Sequence, residues 1–195
     1  MNKEIFERNN ADRFLQTGRI LYEEDDMILI KELVEKKIKE KIENLKDKIT
    51  IWDIDGTLCK LHYTGDDFRE LLPCNDDDLK TFLKTHNMYN NARPLKIMQY
   101  IVNSLNPDLV YTLSTSIELA KLQKDEWLKT FYPKIKKENI FYSSSDGEKL
   151  IILEQLLLAN KDKQLVFIED TAKTLLNVEE KFKDIELQHI LSFMV

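Results

Sequence analysis

Residues 49–58 read Ile-Thr-Ile-Trp-Asp-Ile-Asp-Gly-Thr-Leu, and this stretch decides the fold. Its apolar and β-branched run, Ile49 to Ile54, is typical of a strand that is buried on both faces. Asp53 and Asp55 lie where the run ends, and Gly56 frees the backbone to turn. In an open α/β sheet, ligands bind beyond the carboxyl ends of the strands. Both carboxylates are therefore expected to project into a ligand crevice.

The rest of the chain alternates short apolar runs with helical stretches. The predicted further strands are 109–113, 139–142, 165–168 and 188–194, and the predicted helices are 94–105, 117–131, 146–160 and 171–183. Strands separated by helices of this length indicate βαβ units and a parallel sheet covered on both faces. The predicted fold class is α/β, a doubly wound (Rossmann-like) sheet of about five strands.

Residues 59–93 fit neither a single crossover helix nor a strand. An insertion of this size directly after the first strand predicts a small lid over the site that the strand builds. Asp76 to Asp78 suit the first turn of a short helix within it. Candidates for gripping a substrate, any of which could equally be packing or solvent residues, are His62, Tyr63, Phe68, Arg69, His86, Tyr89 and Arg93.

A second region precedes the first strand. Ile30, Val34, Ile38 and Ile42 recur at a spacing of four within residues 27–45, which predicts an amphipathic helix. We assign residues 1–47 to a helical N-terminal arm and residues 48–195 to the catalytic domain. The helix packs on the rest of the chain in the first interpretation. In the alternative it binds a partner or a second copy of the chain.

Composition limits the classes of partner. The 195 residues contain 29 Lys and Arg against 35 Asp and Glu, a net charge of −6, which argues against nucleic acid as a general partner. Two cysteines without zinc-site spacing indicate neither a disulfide scaffold nor a zinc module. No apolar signal segment and no membrane-spanning run is apparent, so a cytoplasmic protein without membrane contact is expected.

The two carboxylates also point to a metal. Asp53 and Asp55 are separated by one residue, and holding two negative charges so close is costly unless a cation or a proton lies between them. Mg²⁺ is the expected cation, because it prefers oxygen ligands and binds few carboxylates while also contacting a substrate phosphate.

From Lys48 to Val195 the sequence resembles the haloacid dehalogenase-like superfamily of phosphohydrolases. The resemblance rests on four motifs in order: Asp53-x-Asp55-x-Thr57 after the first strand, Ser114 closing the second, Lys149 in a later helix, and Glu169-Asp170 ending an apolar strand. The second aspartate of the first motif favours phosphate-ester chemistry, because relatives that dehalogenate or pump ions lack it.

The resemblance implies a role for each catalytic residue. Asp53 would attack phosphorus as the nucleophile, and Asp55 would act first as acid and then as base. Ser114 would donate a hydrogen bond to a phosphoryl oxygen, and Lys149 would neutralise the charge of the phosphoryl group.

It also implies the ligands of the metal and of the phosphate. Mg²⁺ would be bound by the Asp53 side chain, the Asp55 main-chain carbonyl and Asp170, with Glu169 as an outer or alternate ligand. The phosphate cradle would comprise the backbone N–H groups of Ile54 and Gly56 together with Thr57, Ser114, Thr115 and Lys149.

The expected function is therefore a Mg²⁺-dependent phosphatase that forms an aspartyl-phosphate and acts on a small phosphorylated substrate. A nucleoside monophosphate is favoured, because residues 113–133 resemble the 5′-deoxyribonucleotidase-like branch, with Ser114 followed by Lys124, Trp127-Leu128 and Pro133. In the other interpretation, Leu119, Leu122, Trp127, Leu128 and Phe131 simply form the buried face of a helix. The alternatives at the level of function are a phosphomutase of the β-phosphoglucomutase kind and a non-catalytic binding protein that acts through its N-terminal helix.

Overall fold

The computed structural model describes residues 24–60, 81, 83–84, 87–90 and 92–193. Three predictions lie wholly or largely outside these residues. They are the arm before residue 24, the short helix at Asp76–Asp78, and the substrate candidates His62, Tyr63, Phe68, Arg69 and His86.

The first described element is helix α1, Glu24–Leu45, which begins three residues before the predicted start. Val34, Ile38 and Ile42 are half-buried, whereas the five charged residues between positions 35 and 40 are exposed. The predicted helical stripe is thus present from Val34 to Ile42, and its first member, Ile30, lies outside the residues whose burial is described. The chain divides into two compact units within this helix, between Glu40 and Lys41. The unit that begins at Lys41 contains the sheet and the candidate site.

The central sheet is built from five parallel strands, which are β1 Ile49–Trp52, β4 Val110–Thr115, β5 Ile140–Ser143, β6 Leu165–Glu169 and β7 Ile185–His189. Their order in the sheet is β5-β4-β1-β6-β7. The connecting helices are α2 Lys96–Ser104, α3 Glu118–Phe131, α4 Asp146–Ala159 and α5 Ala172–Lys181. The predicted α/β, doubly wound class is confirmed. Because β1 is the middle strand and the chain winds outward from it in both directions, the carboxyl end of β1 lies at the topological switch point.

The two strands at the centre of the sheet are completely buried. Every residue of β1 and β6 is buried, and their apolar side chains join a cluster that includes Ile49, Ile51, Leu165 and Phe167. Helices packed on a parallel sheet remove both faces of such strands from water, which is why these segments are continuously apolar rather than alternating. Asp53 and Asp170 therefore each follow directly after a completely buried strand.

The last predicted strand, 188–194, is wrong in its position. Strand β7 ends at His189, and Ile190–Phe193 form a 3₁₀ turn. Ile190 and Phe193 are both buried, and the Phe193 ring lies 5.7 Å from that of Trp52. Residues three apart point to opposite faces of a strand but to the same face of a 3₁₀ turn. Burying both apolar side chains therefore favours the turn.

The predicted insertion begins and ends in a small second sheet. Strand β2, Cys59–Lys60, pairs antiparallel with β3, Arg93–Pro94. The two ends of residues 59–93 are thus held together, as a compact insertion requires. Its relation to the site as a lid lies outside the described residues. Across the described part of the chain, no helix is both long and apolar enough to cross a membrane.

Candidate active site

Three neighbouring strands bring acidic and hydroxyl side chains to one end of the sheet. Asp53 follows β1, Ser114 lies near the end of β4, and Glu169 ends β6. These strands run in parallel, so their carboxyl ends lie side by side. A cavity of about 670 Å³ opens there, and its lining includes Asp53, Asp55, Gly56, Ser114, Thr115, Lys149, Glu169 and Asp170.

A buried lysine joins two of the acidic groups. Lys149 lies in the first turn of α4, where Ser145 caps the helix by accepting a hydrogen bond from the Glu148 N–H. The Lys149 ammonium lies 3.1 Å from Asp53 Oδ1 and 2.9 Å from Glu169 Oε2, and the exposed fractions of the three side chains are 5%, 7% and 2%. Burial disfavours its charged form, but the charges of Asp53 and Glu169 outweigh burial and raise the pKa of Lys149.

Asp53 is held in an environment that opposes its ionisation. Burial raises the pKa of Asp53 to about 7, against the charge of Lys149, and the nearby Glu169 and Asp55 carboxylates add to the rise. An additional positive charge in the cavity would therefore favour the ionised carboxylate.

Glu169 is committed to several partners in the structure. Its Oε2 accepts from Lys149, and its Oε1 accepts from the backbone N–H groups of Asp170 and Thr171, each at 3.2 Å. Asp170 is half-buried and faces the cavity. Burial raises the pKa of Asp170 to about 6, and the neighbouring Glu169 carboxylate contributes to the rise.

These groups suit a hard divalent cation. Carboxylate oxygens of Asp53, Glu169 and Asp170 lie within 4.8 Å of one another. With Asp55 they make four carboxylates, against the two ammonium groups of Lys124 and Lys149. When all are ionised, the cluster carries two negative charges in excess, and its donor atoms are all oxygens, the type that Mg²⁺ prefers.

Gly56 lets the turn after β1 approach Asp170 closely. Its φ is +78°, in the left-handed region, and a Cβ atom added there would lie 2.1 Å from Asp170 Oδ2 and 2.5 Å from Asp170 Cγ. Any larger residue would clash with this carboxylate and strain the backbone. The glycine therefore fixes the distance between the first and the last acidic motif.

We expect Gly56→Ala to destabilise the fold by about 1–3 kcal/mol through backbone strain and to displace Asp170. Thermal melting should show a loss of several degrees relative to the wild type. Gly147→Ala is the matched control. Gly147 lies in helix α4, and the nearest atom to an added Cβ is Ser145 Oγ at 3.9 Å, so its Tm should stay the same or rise. Equal melting temperatures for the two variants would contradict the tight approach at Gly56.

Asp55 is held by two donors, one on each carboxylate oxygen. The Tyr89 hydroxyl donates to Oδ1 at 2.5 Å, and the Lys124 ammonium lies 2.8 Å from Oδ2. Lys124 also donates to Ser114 Oγ at 2.8 Å and to the Thr115 carbonyl at 2.9 Å. Burial raises the pKa of Tyr89 well above its usual range, and the Asp55 carboxylate adds to the rise, so the phenol stays a donor.

Sequence reasoning named Lys124 only within the resemblance of residues 113–133 and did not include it among the site residues. The predicted buried face of α3 included Leu119 and Leu122, yet both are exposed, Leu122 to 72%. The buried residues are Ala120, Lys124, Trp127 and Leu128, so Trp127 is a core residue as expected. Their spacing of four, three and one is that of a single helix face. The sequence signal that could have identified Lys124 as a site residue is its position on a helix face whose other residues are apolar.

The remaining predicted residues are placed as follows. Ser114 is buried and accepts from Lys124, and Thr115 is exposed and shares a hydrogen bond with Ser143. Ile54 and Thr57 are fully buried, and Thr57 Oγ1 has no partner among the described residues. The Gly56 N–H already donates to the Cys59 carbonyl at 2.9 Å. Contrary to the expectation for a phosphate cradle, that N–H is therefore used within the turn.

Two candidates from the predicted insertion are described. Tyr89 is buried, with its hydroxyl on Asp55, so it is not an exposed ring on which a base could stack. Arg93 is exposed and belongs to β3.

In comparisons with known proteins, no family model and no curated protein matches this chain.

Proposed function

We propose that this protein is a Mg²⁺-dependent phosphatase that hydrolyses a small phosphomonoester through an aspartyl-phosphate on Asp53. The observation that carries the proposal is the position of Asp53. Its carboxylate faces the cavity, the Lys149 ammonium lies 3.1 Å away, and Asp170 and Asp55 flank it. A nucleophile, a cation for the phosphoryl oxygens and an acid–base group are thus available in one place.

The oxygen donors and the excess negative charge fit Mg²⁺. Asp53 and Asp170 would bind it through their side chains and Asp55 through its main-chain carbonyl, while Glu169, engaged by Lys149, would be an outer or alternate ligand. When bound, the ion offsets negative charge on the phosphoryl oxygens and favours the ionised form of Asp53.

The chain's own residues then supply two displacements. An Asp53 carboxylate oxygen attacks phosphorus, the bond from phosphorus to the ester oxygen breaks, and Asp55 gives its proton to that departing oxygen. The Asp55 carboxylate next takes a proton from a water molecule whose oxygen attacks phosphorus. The bond from phosphorus to Asp53 breaks, and phosphate and the original carboxylate are restored.

Lys149 places a positive charge beside Asp53, and Lys124 places one beside Asp55. Lys149 lies against the nucleophile, where it can also offset charge on a phosphoryl group in transfer. Lys124 lies against the acid–base group and Ser114. Because Lys124 donates to Ser114 Oγ, the Ser114 hydroxyl proton is left free to point toward a phosphoryl oxygen.

The cavity favours a small substrate. A volume of about 670 Å³ is within the range of pockets for small molecules. The net charge of −6 disfavours a nucleic acid but not a single phosphate group held by two lysines and a metal. A nucleoside monophosphate is the favoured substrate, because residues 113–133 resemble the 5′-deoxyribonucleotidase-like branch.

The test is hydrolysis of 4-nitrophenyl phosphate with Mg²⁺ and with a chelator. We expect turnover with Mg²⁺, a loss of at least about 100-fold in chelator, and recovery when Mg²⁺ is added back. Full activity in chelator would exclude the metal-dependent mechanism, and no activity under any condition would exclude the phosphatase. A panel of nucleoside monophosphates and sugar phosphates would then identify the substrate, and isomerised sugar phosphate in place of free phosphate would indicate a phosphomutase.

A further inference from the structure

We propose that Tyr89 is a positioning residue for the proposed phosphatase reaction: together with the Lys124 ammonium, its hydroxyl fixes the orientation in which the Asp55 carboxyl protonates the leaving group. The inference rests on the proposed function, because it assigns Tyr89 a role in the same site.

The Asp55 carboxyl needs such a constraint. Its side chain is 35% exposed, and rotation of a carboxylate about its last bond is soft. Tyr89 on Oδ1 and Lys124 on Oδ2 lie on opposite oxygens. Together they select one orientation, which neither donor alone would fix.

Tyr89 is itself held firmly. It is buried, its ring centroid lies 6.3 Å from that of Trp127, and its N–H donates to Asn87 Oδ1 at 2.8 Å. Trp127 Nε1 in turn donates to the Ala92 carbonyl at 3.2 Å. Trp127 and Lys124 belong to the same helix, α3, so this helix carries one donor to Asp55 and packs against the other.

The two contacts leave the carboxyl able to exchange a proton. A carboxylate has about four acceptor positions, and the donors from Tyr89 and Lys124 occupy one on each oxygen. A position remains on each oxygen for the proton that goes to the substrate. The contacts from Tyr89 and Lys124 therefore orient the Asp55 carboxyl group without blocking proton transfer.

The role predicts a dependence on the leaving group. Protonation of the leaving oxygen strongly accelerates the loss of an alkoxide, because an alkoxide is a poor leaving group. It matters little for 4-nitrophenolate, which leaves without being protonated. Since kcat/KM covers only the steps up to phosphoenzyme formation, it isolates the acid step from the later base step. We expect Tyr89→Phe to lower kcat/KM for an alkyl phosphate such as glycerol 2-phosphate by about tenfold or more, because misorientation sacrifices part of the acid catalysis. For 4-nitrophenyl phosphate the loss should stay below about threefold.

Tyr132→Phe is the matched control. Tyr132 is buried, its ring also packs on Trp127, and its hydroxyl donates to the Leu58 carbonyl at 3.0 Å rather than to Asp55. This variant also loses one buried hydrogen bond, so its stability should fall. Its ratio of kcat/KM between the two substrates should remain that of the wild type.

The ratio is the decisive measurement, because it does not depend on the fraction of folded protein in a preparation. A selective loss on the alkyl phosphate in Tyr89→Phe alone supports the positioning role. An unchanged ratio, whether both rates persist or both fall together, overturns it while leaving the phosphatase proposal intact. A wild-type protein that is inactive on both substrates overturns the phosphatase proposal first and this inference with it.

Discussion

Asp53→Asn is expected to abolish phosphatase activity, lowering kcat by at least about 10⁴-fold. An amide keeps the shape of the side chain but is a poor nucleophile, and it cannot form the aspartyl-phosphate. The carbonyl oxygen of the introduced amide can still accept from Lys149, so the fold should be retained. The measurement is initial rates on 4-nitrophenyl phosphate with Mg²⁺, together with the intact mass of protein quenched during turnover. Only the wild type should gain a phosphoryl group, and hydroxylamine should remove it.

Asp125→Asn serves as the control for this change. Asp125 is likewise hydrogen-bonded and partly buried, but its partner is the Tyr142 hydroxyl at 2.7 Å, and it is not among the residues that line the cavity. Its kcat should remain close to that of the wild type. Turnover by Asp53→Asn at a rate within tenfold of the wild type would rule out Asp53 as the nucleophile.

Lys149→Met is expected to cost about 3–5 kcal/mol of unfolding free energy at neutral pH, in addition to activity. The substitution keeps an unbranched side chain but leaves Asp53 and Glu169 as buried carboxylates without their shared cation. An isolated buried charge is much less favourable than a paired one. Chemical denaturation of the wild type and the variant measures the difference.

The loss should depend on pH in a definite direction. Removing Lys149 takes away the charge that lowers the pKa of Asp53, so this pKa, already raised to about 7, should rise further. A carboxyl with a pKa raised by folding destabilises the protein when pH is above the pKa of the unfolded chain. This penalty disappears as pH falls and the group is protonated. The difference between wild type and variant should therefore be smaller at pH 5 than at pH 8.

Lys181→Met provides a surface comparison. The Lys181 ammonium lies 3.0 Å from Glu154 Oε2, almost the distance of the Lys149–Glu169 pair, but the two side chains are 39% and 48% exposed to solvent. Removing such a pair should cost no more than about 1 kcal/mol. If the two variants lose equal stability, the buried position of Lys149 is not what makes its charge important.

The local sequence was sufficient to predict the bounds of the helices and strands that carry the motifs. The predicted helices 117–131 and 146–160 agree within one residue with Glu118–Phe131 and Asp146–Ala159. The strand 165–168 is extended by one residue to Glu169. Each has a clear apolar period or a continuous apolar run, and in Asp146–Ala159 a serine caps the start, so local propensity and burial agree.

Local patterns were insufficient at the chain's end and on one helix face. The run 188–194 is apolar enough for a strand, yet it bends after His189 because Phe193 packs against Trp52, 141 residues earlier. In α3, the leucines Leu119 and Leu122 face solvent while Lys124 is buried. Hydrophobicity alone could not show this, because the partners of Lys124 come from the turn after β1 and the end of β4.

The sequence by itself thus determined a doubly wound sheet and the grouping of Asp53, Ser114, Lys149, Glu169 and Asp170. The reason is topological for four of them: parallel strands with helical crossovers must bring their carboxyl ends to one edge, and Asp53, Ser114, Glu169 and Asp170 lie at or just after such an end. Lys149 was named by the motif resemblance, and it lies in the first turn of the helix after β5. Only the tertiary structure decided that Tyr89 and Lys124 hold Asp55. That arrangement depends on the rotation of α3 about its axis and on the positions of residues 87–90 and Ala92. Packing between distant segments of the chain fixes both.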